Sequence, residues 1–229
     1  YNNIKNVMPE KNEKEILKII KNMWENLGRV IGEYPHLKKL VPGKNNKIQV
    51  CGIKNLLLVK KTKTPAIFFS AHFANWEILP MVSIKNGVPV LTIFRKPNNP
   101  IINFLIKYLR SDLPMAPKGR EGAKKIIYSL RNGISIGLVI DQKMNDGIEV
   151  PFFNKPAMTS DTLAHLCHKI KSLVIPVEVE RIKSTNFKVT FHTPLKVSKN
   201  GKKKTAPPPK RDSQLGEGGG GGGGIPNFG

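Results

Sequence analysis

The chain has 229 residues, of which 39% are apolar and 24% charged, so it falls within the ordinary globular range and is long enough for one sizeable core. Lysine and arginine outnumber aspartate and glutamate by 38 to 16, and a net charge of +22 calls for an anionic partner: nucleic acid, anionic lipid or an acidic protein. Cys51 and Cys167 lie in apolar stretches, and their number excludes a disulfide framework. No apolar run approaches the roughly 18 residues of a membrane-spanning helix, and no stretch is typical of a signal peptide.

The two ends of the sequence differ from its middle. The chain opens on Tyr1 rather than Met, and we expect that the true N-terminus, with a potential membrane anchor, is missing. After about Ser198 the composition shifts to lysine, proline and a glycine run at 218–224, which predicts a disordered tail over 199–229 with no assigned role. Residues 1–198 keep 32 basic and 14 acidic side chains, a net charge of +18, so most of the positive charge belongs to the folded part.

Hydrophobic spacing predicts a series of alternating helices and strands. The first half contains an amphipathic helix at about 10–31, a hairpin of 48–51 and 56–60, a buried strand at 66–70, a helix at 75–85, a strand at 88–94 and a helix at 100–110. The second half contains a helix at 121–131, a buried strand at 134–140, a helix at 160–170 and strands at 173–180 and 187–191.

This order predicts an α/β fold with a mixed, mostly parallel sheet flanked by helices, in one domain over 1–198. The functional site is then expected at the carboxyl ends of the strands. The helix at 100–110 is apolar on nearly every side, which suits either burial or partial immersion in lipid.

His72 is the first candidate for a chemical role, because it follows the buried strand 66–70 directly and Glu77 comes five residues later. On a regular helix this interval separates two side chains by about 140°, so the pair can meet only if His72 lies in a turn before the helix. There Glu77 would accept the Nδ1 proton and leave Nε2 to act as a general base. Taken alone the pair is weak evidence, since a single histidine is more often structural.

Four segments in order resemble the bacterial lipid A biosynthesis acyltransferases. Residues 70–77 have the sequence SAHFANWE, which is similar to the His-x4-Asp/Glu signature of that family, usually HFGNWE. The later segments are FRKPNNP at 94–100, PKGREG at 117–122, and DQKMNDGI with VPFFNKPA at 141–148 and 150–157. Two departures are mild, because Ala74 and Asn154 stand where the family usually has glycine. The resemblance covers about 27–195, and both ends are expected to be truncated.

The resemblance implies a glycerolipid-acyltransferase-like fold and transfer of a fatty acyl group from acyl carrier protein to a hydroxyl of a Kdo-bearing lipid A precursor. It implies work at the cytoplasmic face of the bacterial inner membrane. The anionic partners expected from the charge are then the lipid A precursor, the acidic carrier protein and the membrane surface, with no nucleic acid. This chemistry requires no cofactor and no metal.

Further site residues follow from the motifs. Arg95 comes directly after a strand and is the candidate for holding phosphate or the oxyanion, with a solvated surface arginine as its alternative. Asp141 ends another strand and is expected to orient Arg95 or a substrate hydroxyl, or to cap the next turn. The remaining candidates for substrate binding are Asn99, from the Asn-Pro segment, and the loop residues Lys118 and Arg120, which suit anionic headgroups or form a plain basic loop.

Other interpretations stay open at this point. His165, Cys167 and His168 resemble a metal cluster on paper, but Cys167 points away from the helix face that the two histidines share, and no fourth ligand is near. Transfer to another glycerophospholipid or glycolipid would use the same His-x4-acid site. A non-enzymatic nucleic-acid-binding protein is a remote alternative that rests on charge alone, since no recognisable module is present.

Overall fold

A computed structural model describes residues 1–40, 47–94, 97–110 and 113–197, without the side chain of Lys38. The expected tail, 199–229, and Arg95 lie outside the described residues.

The helices are α1 (Asn2–Val7), α2 (Glu13–Glu33), α3 (Leu37–Leu40), α4 (Ile53–Thr62), α5 (Ile78–Lys85), α6 (Pro100–Leu109), α7 (Arg120–Arg131) and α8 (Thr162–Lys169), with a 3₁₀ turn at Tyr34–His36. The strands are β1 (Ile48–Cys51), β2 (Ala66–Ser70), β3 (Val90–Phe94), β4 (Met115–Pro117), β5 (Ser135–Val139), β6 (Ile148–Phe152), β7 (Lys155–Thr159), β8 (Leu173–Lys183) and β9 (Asn186–Phe191).

Among the described residues, seven strands form one sheet in the order β1-β9-β8-β2-β5-β3-β4. Every neighbouring pair is parallel except β8 and β9, which are antiparallel, while β6 and β7 form a separate antiparallel hairpin. The predicted α/β fold with a mixed, mostly parallel sheet is confirmed.

The central strand β2 is buried on both faces, which explains its unbroken apolar sequence. Phe68 belongs to a core cluster that includes side chains of α4, α5, β8 and β9. The neighbouring Ile67 belongs to a second cluster, with side chains of α7 and α8. Since successive side chains of a strand point to opposite faces, the helices on the two sides of the sheet hold β2 in place. The residues that follow β2 therefore start from a rigid support.

Most sequence-based elements are confirmed with shifted ends. The first long helix begins at Glu13 because Asn12 caps it: the Asn12 side chain accepts from the N–H of Glu15, and the Glu15 side chain accepts from the N–H of Asn12. The helix expected at 75–85 begins at Ile78, which leaves the residues after β2 in a turn. The missed strands are β4, β6 and β7, all short and poor in buried apolar side chains.

The expected hairpin of 48–51 and 56–60 is wrong. Residues 48–51 form β1, which pairs in parallel with β9, and residues 53–62 form helix α4. Leu56 and Val59 are both buried, and their spacing of three suits one helix face as well as a strand. Gly52, at φ +66°, makes the sharp turn between the two elements. Residues 48–51 form a strand because they pair with the distant strand β9, and not with residues 56–60.

Helix α6 has no buried residue, so the expected burial is not found in the part of the chain that the structure describes. Partial immersion in lipid stays a prediction. Three of its large side chains, Ile101, Phe104 and Tyr108, are 68–75% exposed. Across the described ranges, no helix combines the length and the apolarity that crossing a bilayer requires.

Candidate active site

A cleft of about 670 Å³ opens at the carboxyl ends of β2, β3 and β5. Its volume is within the range found for small-molecule binding sites. Its lining includes His72 and Trp76 from the turn after β2, Ile106 and Arg110 from α6 and its end, and Lys118 from the loop after β4. Apolar side chains from β3, β5 and α7 form much of the wall. The cleft thus combines an apolar interior with a small number of polar and basic groups.

His72 is held by Asp141 at two points. The backbone N–H of His72 donates to Asp141 Oδ2 over 2.9 Å, and Nδ1 lies 2.6 Å from Oδ1 of the same carboxylate. The His72 side chain is about one-third exposed. Because Nδ1 faces Asp141, Nε2 is the ring nitrogen left to exchange a proton with another group.

The expected pairing of His72 with Glu77 is wrong, and Asp141 takes the place of Glu77. The turn does put His72 ahead of helix α5, as the five-residue interval required. Asp141 follows β5, the strand that pairs with β2, and so reaches the imidazole from the adjacent strand end. Asp141 was expected at the site in another role, orienting Arg95, a substrate hydroxyl or the next turn.

Asp141 is ionised in this arrangement. Burial raises its pKa, but hydrogen bonds from the His72 side chain and backbone, together with the electrostatic interaction with His72, outweigh burial. The pKa of Asp141 therefore lies below its usual value. A carboxylate so placed fixes the tautomer of the imidazole and stabilises the imidazolium form.

Glu77 is buried and belongs to a second polar group with Tyr34 and Arg110. The Tyr34 hydroxyl donates to Glu77 Oε1 over 2.9 Å. Arg110 Nε lies 3.0 Å from Glu77 Oε2, an ion pair by distance, although neither atom makes a hydrogen bond of good geometry. Both charged side chains are under 10% exposed, so each depends on the other for compensation.

Burial and the neighbouring Glu77 carboxylate raise the pKa of Tyr34 far above its usual value. Tyr34 is therefore neutral and acts as a hydrogen-bond donor at any ordinary pH. Tyr34, Glu77 and Arg110 all line the cleft, so this group contributes fixed polar atoms to its wall.

The other predicted site residues lie in different settings. Lys118 lines the cleft, and its N–H donates to Phe94 at the end of β3. Asn99 caps helix α6 by accepting from the N–H groups of Ile101 and Ile102 at 2.9 and 3.3 Å. Arg120 is the exposed first residue of α7. Neither Asn99 nor Arg120 lines the described part of the cleft, and their roles, like that of Arg95, stay predictions.

Sequence reasoning missed Tyr34 and Arg110. Their partner Glu77 is 43 and 33 positions away in the sequence, and no local pattern signals such contacts. An arginine at the end of an apolar helix was the available clue for Arg110.

Two motif positions that depart from the family's glycine have backbone conformations that favour glycine. Ala74 has φ +42°, and Asn154 has φ +60° in the two-residue turn between β6 and β7. Asparagine tolerates this region better than other non-glycine residues, whereas alanine is strained there. A glycine at either position would adopt this conformation without strain.

The fold and the His72–Asp141 pair define a site that can take a proton from a bound hydroxyl group. A sequence profile described as bacterial lipid A biosynthesis acyltransferase matches residues 1–207, which is most of the chain. The chain therefore belongs to the bacterial lipid A biosynthesis acyltransferase family, and this membership implies acyltransferase activity. A search of curated proteins finds no matching sequence.

Proposed function

We propose that this chain transfers a fatty acyl group from acyl carrier protein to a hydroxyl of a Kdo-bearing lipid A precursor, with His72 as general base. The observation that carries the proposal is the 2.6 Å contact between His72 Nδ1 and Asp141 at the edge of the cleft. Family membership supplies the reaction class.

The reaction begins with removal of a proton from the acceptor hydroxyl by His72 Nε2, while the hydroxyl oxygen attacks the thioester carbonyl carbon. Asp141 stabilises the imidazolium that forms. Collapse of the tetrahedral intermediate breaks the carbon–sulfur bond, and the imidazolium returns its proton to the leaving thiolate. General-base assistance of this kind contributes about 10²- to 10⁴-fold to the rate.

Direct transfer to the acceptor is favoured over an acyl-enzyme. The sequence has no serine or cysteine in a recognisable nucleophile elbow. Cys51 and Cys167 do not line the described part of the cleft. The Ser70 hydroxyl, which lines the cleft, donates to the carbonyl of the adjacent Ala71 over 3.3 Å. The acceptor hydroxyl is then the only nucleophile that the mechanism requires.

Positive charge for the phosphate groups or the developing oxyanion comes from the cleft wall. Lys118 lines the cleft and Arg95 is the second candidate, from the sequence, whereas the charge of Arg110 is compensated by Glu77. Preorganised donors of this kind contribute about 10²- to 10³-fold to acyl transfer. The net charge of +18 on residues 1–198 suits the two anionic substrates, the lipid and the carrier protein.

The membrane surface is the third proposed partner, at the cytoplasmic face of the inner membrane. Helix α6 exposes Ile101, Phe104 and Tyr108 and also contributes Ile106 to the cleft wall. Helix α2 exposes Leu17 and Trp24. Apolar side chains on exposed helices of a basic protein are typical of attachment to anionic lipid surfaces. A lipid acceptor would then reach the cleft beside α6.

The test is mass spectrometry of lipid products after incubation of the chain with acyl carrier protein thioesters and separate candidate acceptors. The proposal predicts one added acyl chain on the Kdo-bearing lipid A precursor. Acylation of glycerophospholipid alone would replace the proposed acceptor, and no product from any acceptor would contradict the proposed activity of this chain.

A further inference from the structure

We propose that Glu33, Asn75 and Arg181 form a clamp that positions the turn carrying His72, and that they are positioning residues for acyl transfer. The turn is defined here as residues 71–77, between β2 and α5. The inference rests on the proposed role of His72. It adds a positioning contribution from helix α2 and strand β8, which supply neither the proposed base nor its aspartate partner.

Asn75 is the centre of the clamp and is fully buried. Its Nδ2 donates to Glu33 Oε2 over 2.8 Å, and its Oδ1 accepts from the N–H of Glu77 over 3.1 Å. One side chain therefore ties the turn to helix α2 and also fixes the turn internally. Because Asn75 is buried, no solvent is available to replace a lost hydrogen bond.

Arg181 of β8 holds Glu33 in place through a two-pronged ion pair. Its Nη1 donates to Glu33 Oε1, and its Nη2 donates to Oε2 over 3.1 Å. The guanidinium also lies 4.6 Å from the centre of the Phe187 ring, and Nη1 donates to the carbonyl of Ser184 over 2.9 Å. A bidentate arginine–carboxylate pair with such support has a fixed geometry. Glu33 thus presents Oε2 to Asn75 in one orientation.

A second branch leads from the same arginine to the same turn. Arg181 Nε donates to Asn26 Oδ1 over 3.3 Å, and Asn26 Nδ2 donates to the carbonyl of Ala74 over 3.0 Å. Ala74 is the residue with φ +42°, so this branch supports the strained position of the turn. Strained backbone persists where surrounding contacts determine it, and here they do so from two directions.

The position of the turn matters because Asp141 holds the His72 imidazole from one side, and the other ring in contact with it, that of Trp76, belongs to the turn itself. Within the turn, the regular backbone hydrogen bonds are Phe73 N–H to Ala71 and Ile78 N–H to Asn75. The clamp holds the turn at Asn75, three residues after the imidazole. A displacement of a reacting group by about 1 Å can cost about 10²-fold in rate. Loss of the clamp is therefore expected to lower kcat.

The experiment compares Glu33→Gln, Asn75→Asp and the double variant that carries both. Asn75→Asp places a second carboxylate against Glu33. In the double variant an amide again faces a carboxylate, so the hydrogen bond between positions 33 and 75 can form in the reverse direction, while the ion pair with Arg181 stays lost. The double variant is therefore compared with Asn75→Asp. Asn26→Ala removes the second branch, from Arg181 through Asn26 to Ala74. It replaces Asn75→Asp in the experiment if that variant does not fold. Glu25→Gln is the control, because Glu25 pairs with Arg29 on the exposed face of the same helix.

Two measurements distinguish positioning of the turn from general support of the fold. Both are made on variants that are fully folded at the assay temperature. Hydrogen–deuterium exchange of peptides spanning 71–77 should rise in both single variants and fall back in the double variant. The kcat for acyl transfer should drop by about 10²-fold in Asn75→Asp with KM little changed, and recover in part in the double variant. Glu25→Gln should match the parent chain in both.

Unchanged exchange at 71–77 and unchanged kcat in folded Glu33→Gln and Asn75→Asp would overturn the clamp. A double variant that is no better than Asn75→Asp in either readout would also contradict it. If the parent chain transfers no acyl group, the proposed function fails, while the exchange experiment still tests the clamp by itself.

Discussion

His72 and Asp141 each follow, by the same number of residues, a pair of residues that are in register on two neighbouring parallel strands. Ser70 of β2 is in register with Val139 of β5, and each site residue follows its strand partner by two positions. The carbonyl of Ser70 accepts from the N–H of Ile140 over 3.1 Å, which extends the pairing to the edge of the site. The sheet register itself therefore brings imidazole and carboxylate together.

Asp141→Asn should lower kcat for acyl transfer by about 10²-fold or more. The amide keeps the size of the side chain but loses the charge that stabilises the imidazolium and fixes the tautomer. The matched control is Asp161→Asn, because Asp161 pairs with His165 on the surface at 2.7 Å. Steady-state rates of both variants check this, and equal rates for Asp141→Asn and the parent chain would exclude Asp141 as the partner of the base.

The same aspartate predicts a pH dependence of stability. The folded-state pKa of Asp141 is lowered, so its ionised form stabilises the fold above the unfolded value of about 3.9. This contribution to stability is lost as the pH falls through the lowered pKa that Asp141 has in the folded protein. Urea unfolding at a series of pH values should show that Asp141→Asn costs stability near neutral pH and that the cost shrinks in acid. A cost that is constant with pH would contradict the assignment.

Tyr34→Phe should lower the free energy of unfolding by about 1–3 kcal/mol, since it removes a hydrogen bond to the buried Glu77 carboxylate. Tyr128→Phe is the control, because that side chain is 68% exposed on α7. Chemical denaturation of both variants measures the effect. If Tyr34→Phe were as neutral as Tyr128→Phe, the Tyr34–Glu77 contact would not contribute to stability.

Ala74→Gly should stabilise the protein by up to about 1 kcal/mol. Relief of the left-handed conformation at φ +42° gives about 1–2 kcal/mol, and the greater freedom of glycine in the unfolded chain offsets part of it. Thermal unfolding of the variant checks the sign. A loss of stability would mean that Ala74 is not strained.

The fold class was predictable because its main evidence is local. Buried strands such as β2 and β5 appear as apolar runs between turn residues, and Pro100 with Asn99 signals the start of α6. The hairpin error at 48–60 arose where a short apolar stretch fits either secondary structure and a distant strand decides between them.

The site was predictable in part, for the same reason. His72 follows its strand directly, so its place at the strand end was evident from the sequence. Its partner was not, because both Glu77 and Asp141 follow buried segments and only the β2–β5 pairing selects Asp141. The buried contacts of Tyr34 and Arg110 with Glu77 depend on how α2 and α6 pack, which no local spacing encodes.

Binding to anionic vesicles should be salt-sensitive, because a net charge of +18 on residues 1–198 is screened over about 10 Å at 0.1 M salt. A double variant, Ile101→Ser with Phe104→Ser, should bind more weakly, and Tyr128→Ser on α7 is the exposed control. Vesicle co-sedimentation at low and high salt measures both effects. Binding that ignores salt, or equal binding by the α6 variant and the control, would contradict the proposed surface.

The most direct test of the account is acyl transfer by His72→Ala, measured as acylated lipid product in protein shown to be folded by circular dichroism and thermal unfolding. Removal of the general base should reduce transfer from acyl carrier protein by about 10²- to 10⁴-fold without loss of the fold. Transfer at the rate of the parent chain by folded His72→Ala protein would contradict the proposed role of His72.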